Sequence, residues 1–119
     1  MILLDEIVQS SNDTYFQNFE YDKQTLKFLR DKHNEFTTEV FRKILIYNRE
    51  NQNLKGLVKT RLEDYKSKRK KYDAAFIVLE SQGFIEKKED GTSTPYFVTI
   101  RGLQLGTLLT QEKKRRDIE

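Results

Sequence analysis

The residues with the clearest chemical potential are consecutive: Lys66-Ser67-Lys68-Arg69-Lys70-Lys71 carries five positive charges in six positions. Like charges this close repel one another, so a compact domain gains nothing from the run. A polyanion neutralises it and releases condensed counterion as it does so. Within the run, Arg69 has the forked donor geometry that fits a guanine edge. Ser67 and nearby backbone N–H groups suit a phosphate oxygen. The plainer alternative is a solvated basic turn. No other residue set assembles into a reaction centre. His33 is the only histidine and Cys is absent, which leaves no zinc-ligand spacing, no thiol nucleophile and no disulfide. Asp5/Glu6 and Glu63/Asp64 are adjacent pairs, whose side chains diverge on a helix. No glycine-rich phosphate loop occurs, and Asn12-Asp13-Thr14 matches a glycosylation pattern only. The expectation is a non-enzyme with no cofactor, no metal and no evident small-molecule effector, and with His33 on the surface.

The wider charge pattern agrees with a polyanionic partner. Residues 1–40 hold 8 acidic and 4 basic side chains, and residues 41–119 hold 11 acidic and 18 basic, giving −4 and +7 within a net charge of +3. At 36% apolar and 34% charged residues, the chain is polar for a folded domain yet too rich in Phe, Tyr, Leu and Ile for disorder. No apolar run approaches the roughly 20 residues that span a bilayer. The first residues lack the basic start of a secretory signal. The expected setting is cytoplasmic.

A helix must present the cationic run, and the spacing supplies one. Tyr72, Ala75, Phe76 and Leu79 form an apolar stripe, with Ser67 as N-cap and Gly83 at the left-handed position past the end. At about 100° per residue, Lys70, Ala74 and Ile77 then point outward, with Lys71 on the flank. Upstream, Leu54, Val58, Leu62 and Tyr65 recur at spacings of four, four and three, which predicts a helix carrying Lys55 and Lys59. Gly56 counts against it by about 1 kcal/mol. An earlier helix is expected from a Thr37 or Thr38 cap, with Val40, Phe41, Ile44, Leu45 and Tyr47 inward and Asn48–Asn53 as a loop. Before it come a short helix over Ile2–Val8, an aromatic cluster (Tyr15, Phe16, Phe19, Tyr21) and a helix capped by Asp22 that runs to about His33. Downstream, Phe84–Glu89 and Tyr96–Ile100 read as strands around an Asp90–Thr94 turn. Thr99 is placed to cap a final helix with Leu103, Leu105, Leu108 and Leu109. Gly102 and Gly106, four apart, suit a close helix approach or a relaxed helix start.

Helix, helix, helix, strand, turn, strand, helix is the order of a helix-turn-helix with an appended hairpin. Leu79-Glu80-Ser81-Gln82-Gly83-Phe84-Ile85 resembles the Leu-Glu-x-x-Gly-Leu-Ile junction of MarR- and PadR-like bacterial regulators. Tyr96-Phe97-Val98-Thr99-Ile100-Arg101-Gly102 resembles their Tyr-x-Leu-Thr-x-x-Gly lead-in to the last helix. The resemblance runs from Phe36 into the last helix. It implies an α+β winged helix-turn-helix with a three-helix core, a β-hairpin wing and extra N- and C-terminal helices, and it implies binding to double-stranded DNA.

The expected organisation is therefore an N-terminal helical extension over residues 1–35, for packing or dimerisation, and a winged helix-turn-helix over residues 36–119. The expected DNA-binding residues are Ser67, Lys68, Arg69, Lys70 and Lys71 at the recognition helix. Lys55 and Lys59 are added from the preceding helix, and Lys87, Lys88, Thr92 and Ser93 from the wing. Lys113-Lys114-Arg115-Arg116 reads as a solvated helix end, where cations suit the dipole. The expected function is a small prokaryotic or mobile-element transcriptional regulator acting as a homodimer. Its rivals are an accessory factor at a plasmid or phage transfer, replication or partition site, and a winged-helix protein-interaction module.

Overall fold

Short polar side chains start each of the early helices. The structure, a computed structural model, describes residues 18–89 and 91–118; the expected helix over Ile2–Val8, together with Tyr15, Phe16 and Asp90, lies outside them. Asp22 accepts from Thr25 N at 2.7 Å and opens α1 (Lys23–Arg30). Asn34 accepts from Thr37 N at 2.8 Å and opens α2 (Glu35–Glu50). This corrects the expected Thr37 or Thr38 cap. Both threonines are buried within the helix, and Thr38 Oγ1 donates to Asn34 O. Val40, Phe41 and Ile44 form the buried stripe, with Leu45 and Tyr47 partly buried beside it.

The segment expected as the next helix is not one. Among residues 54–68 the only helical element is a single 3-10 turn, Lys59–Arg61, with the rest in turns. Leu54 is 79% exposed, and Leu57, not Val58, is the buried residue. Leu57 exchanges both backbone hydrogen bonds with Tyr96 at 2.9 Å, so it adds one rung to the hairpin edge. Gly56 explains the failure of the helical spacing. A Cβ there would lie 2.7 Å from Tyr96 O and 2.8 Å from Pro95 Cβ. The glycine lets two backbones touch, which is a strand-like use of the residue.

The helix α3 (Arg69–Ser81) begins from Lys68, not from a Ser67 cap: Lys68 makes no side-chain cap bond, and Ser67 Oγ donates to Asp64 O instead. Tyr72, Ala75, Phe76 and Leu79 are all buried, as their spacing predicts. Gly83 ends the helix at φ +81°, and Phe84 N returns to Leu79 O. Strands β1 (Ile85–Lys87) and β2 (Tyr96–Val98) pair antiparallel, with Ile85 opposite Val98 and Lys87 opposite Tyr96. Both are shorter than expected.

Thr99 caps α4 (Ile100–Ile118), accepting from Gly102 N at 3.1 Å while donating to Gly83 O. Gly102 is where α4 closes on the chain: an added Cβ would come within 2.3 Å of Phe84 O.

The described residues form an α+β arrangement of four helices and one two-stranded antiparallel hairpin. One core joins them. Tyr72, Phe41, Phe76, Phe84, Ile44 and Leu79 are its largest fully buried side chains, and Leu26 of α1 belongs to it. Full burial of such side chains is worth about 1.5–3 kcal/mol each. α1 lies along α4, tied by Arg30 to Glu112 at 3.1 Å. Phe19 and Tyr21 meet edge to face, and Tyr21 also meets Phe84. Tyr21 exchanges backbone bonds with the Gln104 side chain on α4. No helix among the described residues is long and apolar enough to cross a membrane.

Asn48 holds the hairpin to the rest. Read as loop from its sequence context, it sits instead inside α2 and is 3% exposed. Its amide accepts from Val98 N at 2.7 Å and donates to Lys55 O and Tyr96 O. A buried amide with both ends satisfied fixes a register that apolar packing alone leaves loose.

Candidate functional site

The cationic run is framed by a palindrome: Asp64-Tyr65 precedes it and Tyr72-Asp73 follows it. The two frames bond across each other. Tyr65 OH donates to Asp73 Oδ1 at 2.8 Å, and Tyr72 OH donates to Asp64 Oδ1. The tyrosine rings are buried, at 8% and 0% exposure, and pack against one another with centroids 6.1 Å apart. Lys43 Nζ on α2 donates to the same Tyr72 oxygen at 3.1 Å. Residues 66–71 are thereby closed into a loop and first helical turn whose ends are pinned to the core. All six of these residues are exposed.

Their charges are not equivalent. Lys68 pairs with Asp64 at 3.2 Å, Lys59 with Asp73 at 3.0 Å, and Arg69 approaches Asp73 at 3.7 Å with 73% of its side chain exposed. Lys66, Lys70 and Lys71 form no ion pair among the described residues. Lys71 lies 5.9 Å from the Phe36 ring centre. Hydrogen bonds from Tyr72 and then Lys68 hold the Asp64 carboxyl below the usual carboxylate range. Tyr65 and then Lys59 do the same for Asp73. Burial is the largest influence on Lys59 and works against its charge, but the hydrogen bond to Asp73 and the attraction of Asp73, Tyr96 and Tyr65 together outweigh it and raise its pKa. The Tyr72 hydroxyl raises Lys43. Both aspartates are therefore anions at any physiological pH.

The expected residues from other elements are placed unevenly. Lys59 and the hairpin residues Lys87, Thr92 and Ser93 line one cleft of about 470 Å³, between the 3-10 turn and the hairpin. Thr60 and Arg61 line the same cleft and were not anticipated, because a helical reading of 54–65 gave them no shared face with the hairpin. Lys88 stands apart with its ammonium 5.0 Å from the Phe97 ring centre. Lys55 is exposed in the loop before Leu57 and not on a helix. Lys59 is not a free phosphate ligand either, since it is occupied by Asp73.

Along α3, Lys70, Ala74 and Ile77 face outward, with Ile77 64% exposed. Lys70, Lys71 and Ala74 line a second cleft, of about 440 Å³, against Asn34 and Phe36 at the start of α2.

His33 corrects a surface expectation. It is half-buried against Phe84, with ring centres 5.7 Å apart, and its Nε2 meets Gln82 Oε1 at 2.6 Å. Nδ1 is buried without a partner, and burial lowers the imidazole pKa below its ordinary value. No group of three or more His, Asp or Glu among the described residues is arranged to hold a metal ion.

No protein-family model, no curated protein and no solved structure matches the chain.

Proposed function

We infer that this chain is a winged helix-turn-helix protein that binds double-stranded DNA, with α3 as the helix offered to the major groove. One observation carries the reading. The side of α3 bearing Tyr72, Phe76 and Leu79 is buried, while Lys66, Lys70 and Lys71 stand exposed and unpaired among the described residues at its opening. A helix held by its apolar side, with cations at its N-terminal end, has the geometry by which a recognition helix meets phosphates and base edges. The order α2, Leu57 rung, α3, β1, β2, α4 supports the same reading, because a hairpin after the third element forms a wing. The cleft beside it brings Arg61, Lys87 and Thr92 together between the 3-10 turn and the hairpin.

Exposed Ile77 is also compatible with a second reading, in which α3 docks on a partner protein. An exposed aliphatic side chain also suits the methyl group of thymine in the major groove, so it weighs on neither side alone. The role we assign is a small regulator of prokaryotic or mobile-element transcription, working as a homodimer through α4, which exposes Leu103.

The test is the salt dependence of duplex binding. Each phosphate neutralised contributes about 0.9 to the slope of log affinity against log salt. Lys70→Ala with Lys71→Ala is expected to flatten that slope by about 2. An unchanged slope removes the cationic opening from the interface, and weak wild-type binding that ignores salt favours the protein-docking reading.

A further inference from the structure

Three of the cations nearest the opening of α3 are already engaged by carboxylates, and this bears on how the surface would discriminate. Asp64 holds Lys68; Asp73 holds Lys59 and faces Arg69. Lys68 and Arg69, at 50% and 73% exposure, do not need an aspartate to solvate them, whereas Lys59, at 29%, is the partner that depends on Asp73. Nor are the carboxylates free to swing away: each accepts a hydrogen bond from a buried tyrosine on the opposite side of the loop. The negative charges are fixed in place beside the positive ones.

We propose that Asp64 and Asp73 are specificity-determining residues of the nucleic-acid surface, which hold Lys68, Arg69 and Lys59 back from indiscriminate phosphate binding. This rests on the DNA-binding reading above. A cation already paired within the protein must leave its carboxylate before it can neutralise a phosphate and release the counterion condensed there. A polyphosphate backbone alone therefore gathers the contacts of Lys66, Lys70 and Lys71. A duplex that also fits α3 by its base edges lowers the cost of the switch, and then gathers Lys68 and Arg69 as well. The carboxylates thus suppress the sequence-independent part of binding more than the sequence-dependent part. The low pKa of both aspartates keeps this restraint in force across the physiological range.

The two roles of each aspartate, bond acceptor and negative charge, separate experimentally. Asp64→Asn and Asp73→Asn keep an oxygen for the tyrosine hydroxyl and remove the charge. Tyr65→Phe with Tyr72→Phe keeps the charge and the packing and removes the bonds. Binding is measured by fluorescence anisotropy over a salt series, using a labelled mixed-sequence duplex of about three helical turns and a duplex selected for tight binding.

D64N is expected to bind the mixed duplex more tightly and to steepen its salt slope by about 1, as Lys68 becomes available. D73N is expected to steepen it by about 1–2, through Arg69 and Lys59. The ratio of selected to mixed affinity is expected to fall several-fold in both. The double Tyr→Phe variant keeps both charges but frees the carboxylates to swing, and is expected to steepen the mixed-duplex slope by less than either Asp→Asn variant.

Slopes and ratios equal to wild type in both Asp→Asn variants overturn the proposal and leave the DNA reading standing. Wild-type protein without salt-dependent duplex binding overturns the DNA reading itself. Melting curves identify any variant that fails to fold. Asp64, whose side chain is 37% exposed, decides the question alone if D73N does not fold.

Discussion

The chain carries two dense cationic runs, residues 66–71 and residues 113–116, and the structure treats them differently. The first is pinned at both ends by crossed tyrosine–aspartate bonds and stands on a helix whose other side is core. The second projects from the last turns of α4, where residues 113–117 are all exposed. Its nearest fixed neighbourhood is a cleft of about 390 Å³ that Arg116 shares with Arg30, His33 and Arg42, and there Arg30 and Arg42 are already paired with Glu112 and Glu39. Charge density alone does not separate the two runs. What separates them is what anchors the backbone beneath the charges: the first run is tied to buried tyrosines of the core, whereas the second lies on an exposed helix end, where cations offer only general attraction.

The comparison breaks most forcefully at Tyr72. Replacing it with Ala removes a fully buried ring together with the bonds to Asp64 and from Lys43. It is expected to cost about 3–5 kcal/mol of stability, read from denaturant unfolding. Four alanines at residues 113–116 are expected to change stability by no more than about 0.5 kcal/mol. A loss at the tail as large as that at Tyr72 would mean that the second run is held as firmly as the first. A finer contrast lies in the salt slope of duplex binding. Lys113→Ala with Lys114→Ala is expected to shift it by less than about 0.5, against the loss of about 2 expected for Lys70→Ala with Lys71→Ala.

The smallest effect is one of pH. Burial lowers the pKa of His33 from its ordinary 6.5, so the folded protein disfavours the imidazolium. That contribution to stability is fully present above pH 6.5 and diminishes as the pH falls through 6.5 toward the lower folded value. Residues 66–71 contain no histidine, and Asp64 and Asp73 stay ionised throughout. Thermal unfolding is therefore expected to weaken modestly on acidification from pH 8 to about 5.5, with the slope of duplex binding unaltered. His33→Gln is expected to abolish the histidine part of that loss. A variant that loses stability as steeply as wild type would place the titrating group elsewhere.

Much of the fold was legible because its signals are local. The Tyr72–Leu79 stripe, the Gly83 terminus, the paired strands and the Thr99 cap each depend on residues a few positions apart, and each is present. The segment 54–65 was not legible, because its structure is decided by a partner distant in sequence. Leu57 pairs with Tyr96, and Gly56 admits the Tyr96 carbonyl and the side chains of Pro95 and Phe97. Against that contact a helical spacing of Leu54, Val58, Leu62 and Tyr65 has no force. The same is true of the candidate site. The lysines were visible as a run, but Asp64 and Asp73 looked like ordinary carboxylates. Their pairs with Lys68 and Arg69 span only four positions, but the grip of Asp73 on Lys59 and the crossed tyrosine bonds that fix both carboxylates appear only when the loop folds back. Asn48 was missed because its polar neighbours suggest a loop, when its amide in fact holds the hairpin.

The crossed frame around residues 66–71 also sets a rule of length. Each tyrosine reaches its aspartate across eight positions, and both bonds depend on that one count. Exchanges of Lys for Arg inside the frame leave the count intact and change only the chemistry on display. A single residue inserted or deleted in the helical part of the frame, residues 69–71, rotates Tyr72 by about 100° and moves it about 1.5 Å along the helix axis, parting both bonds at once. Descendants of this chain are therefore free to vary the letters of the cationic run, but not its number of characters.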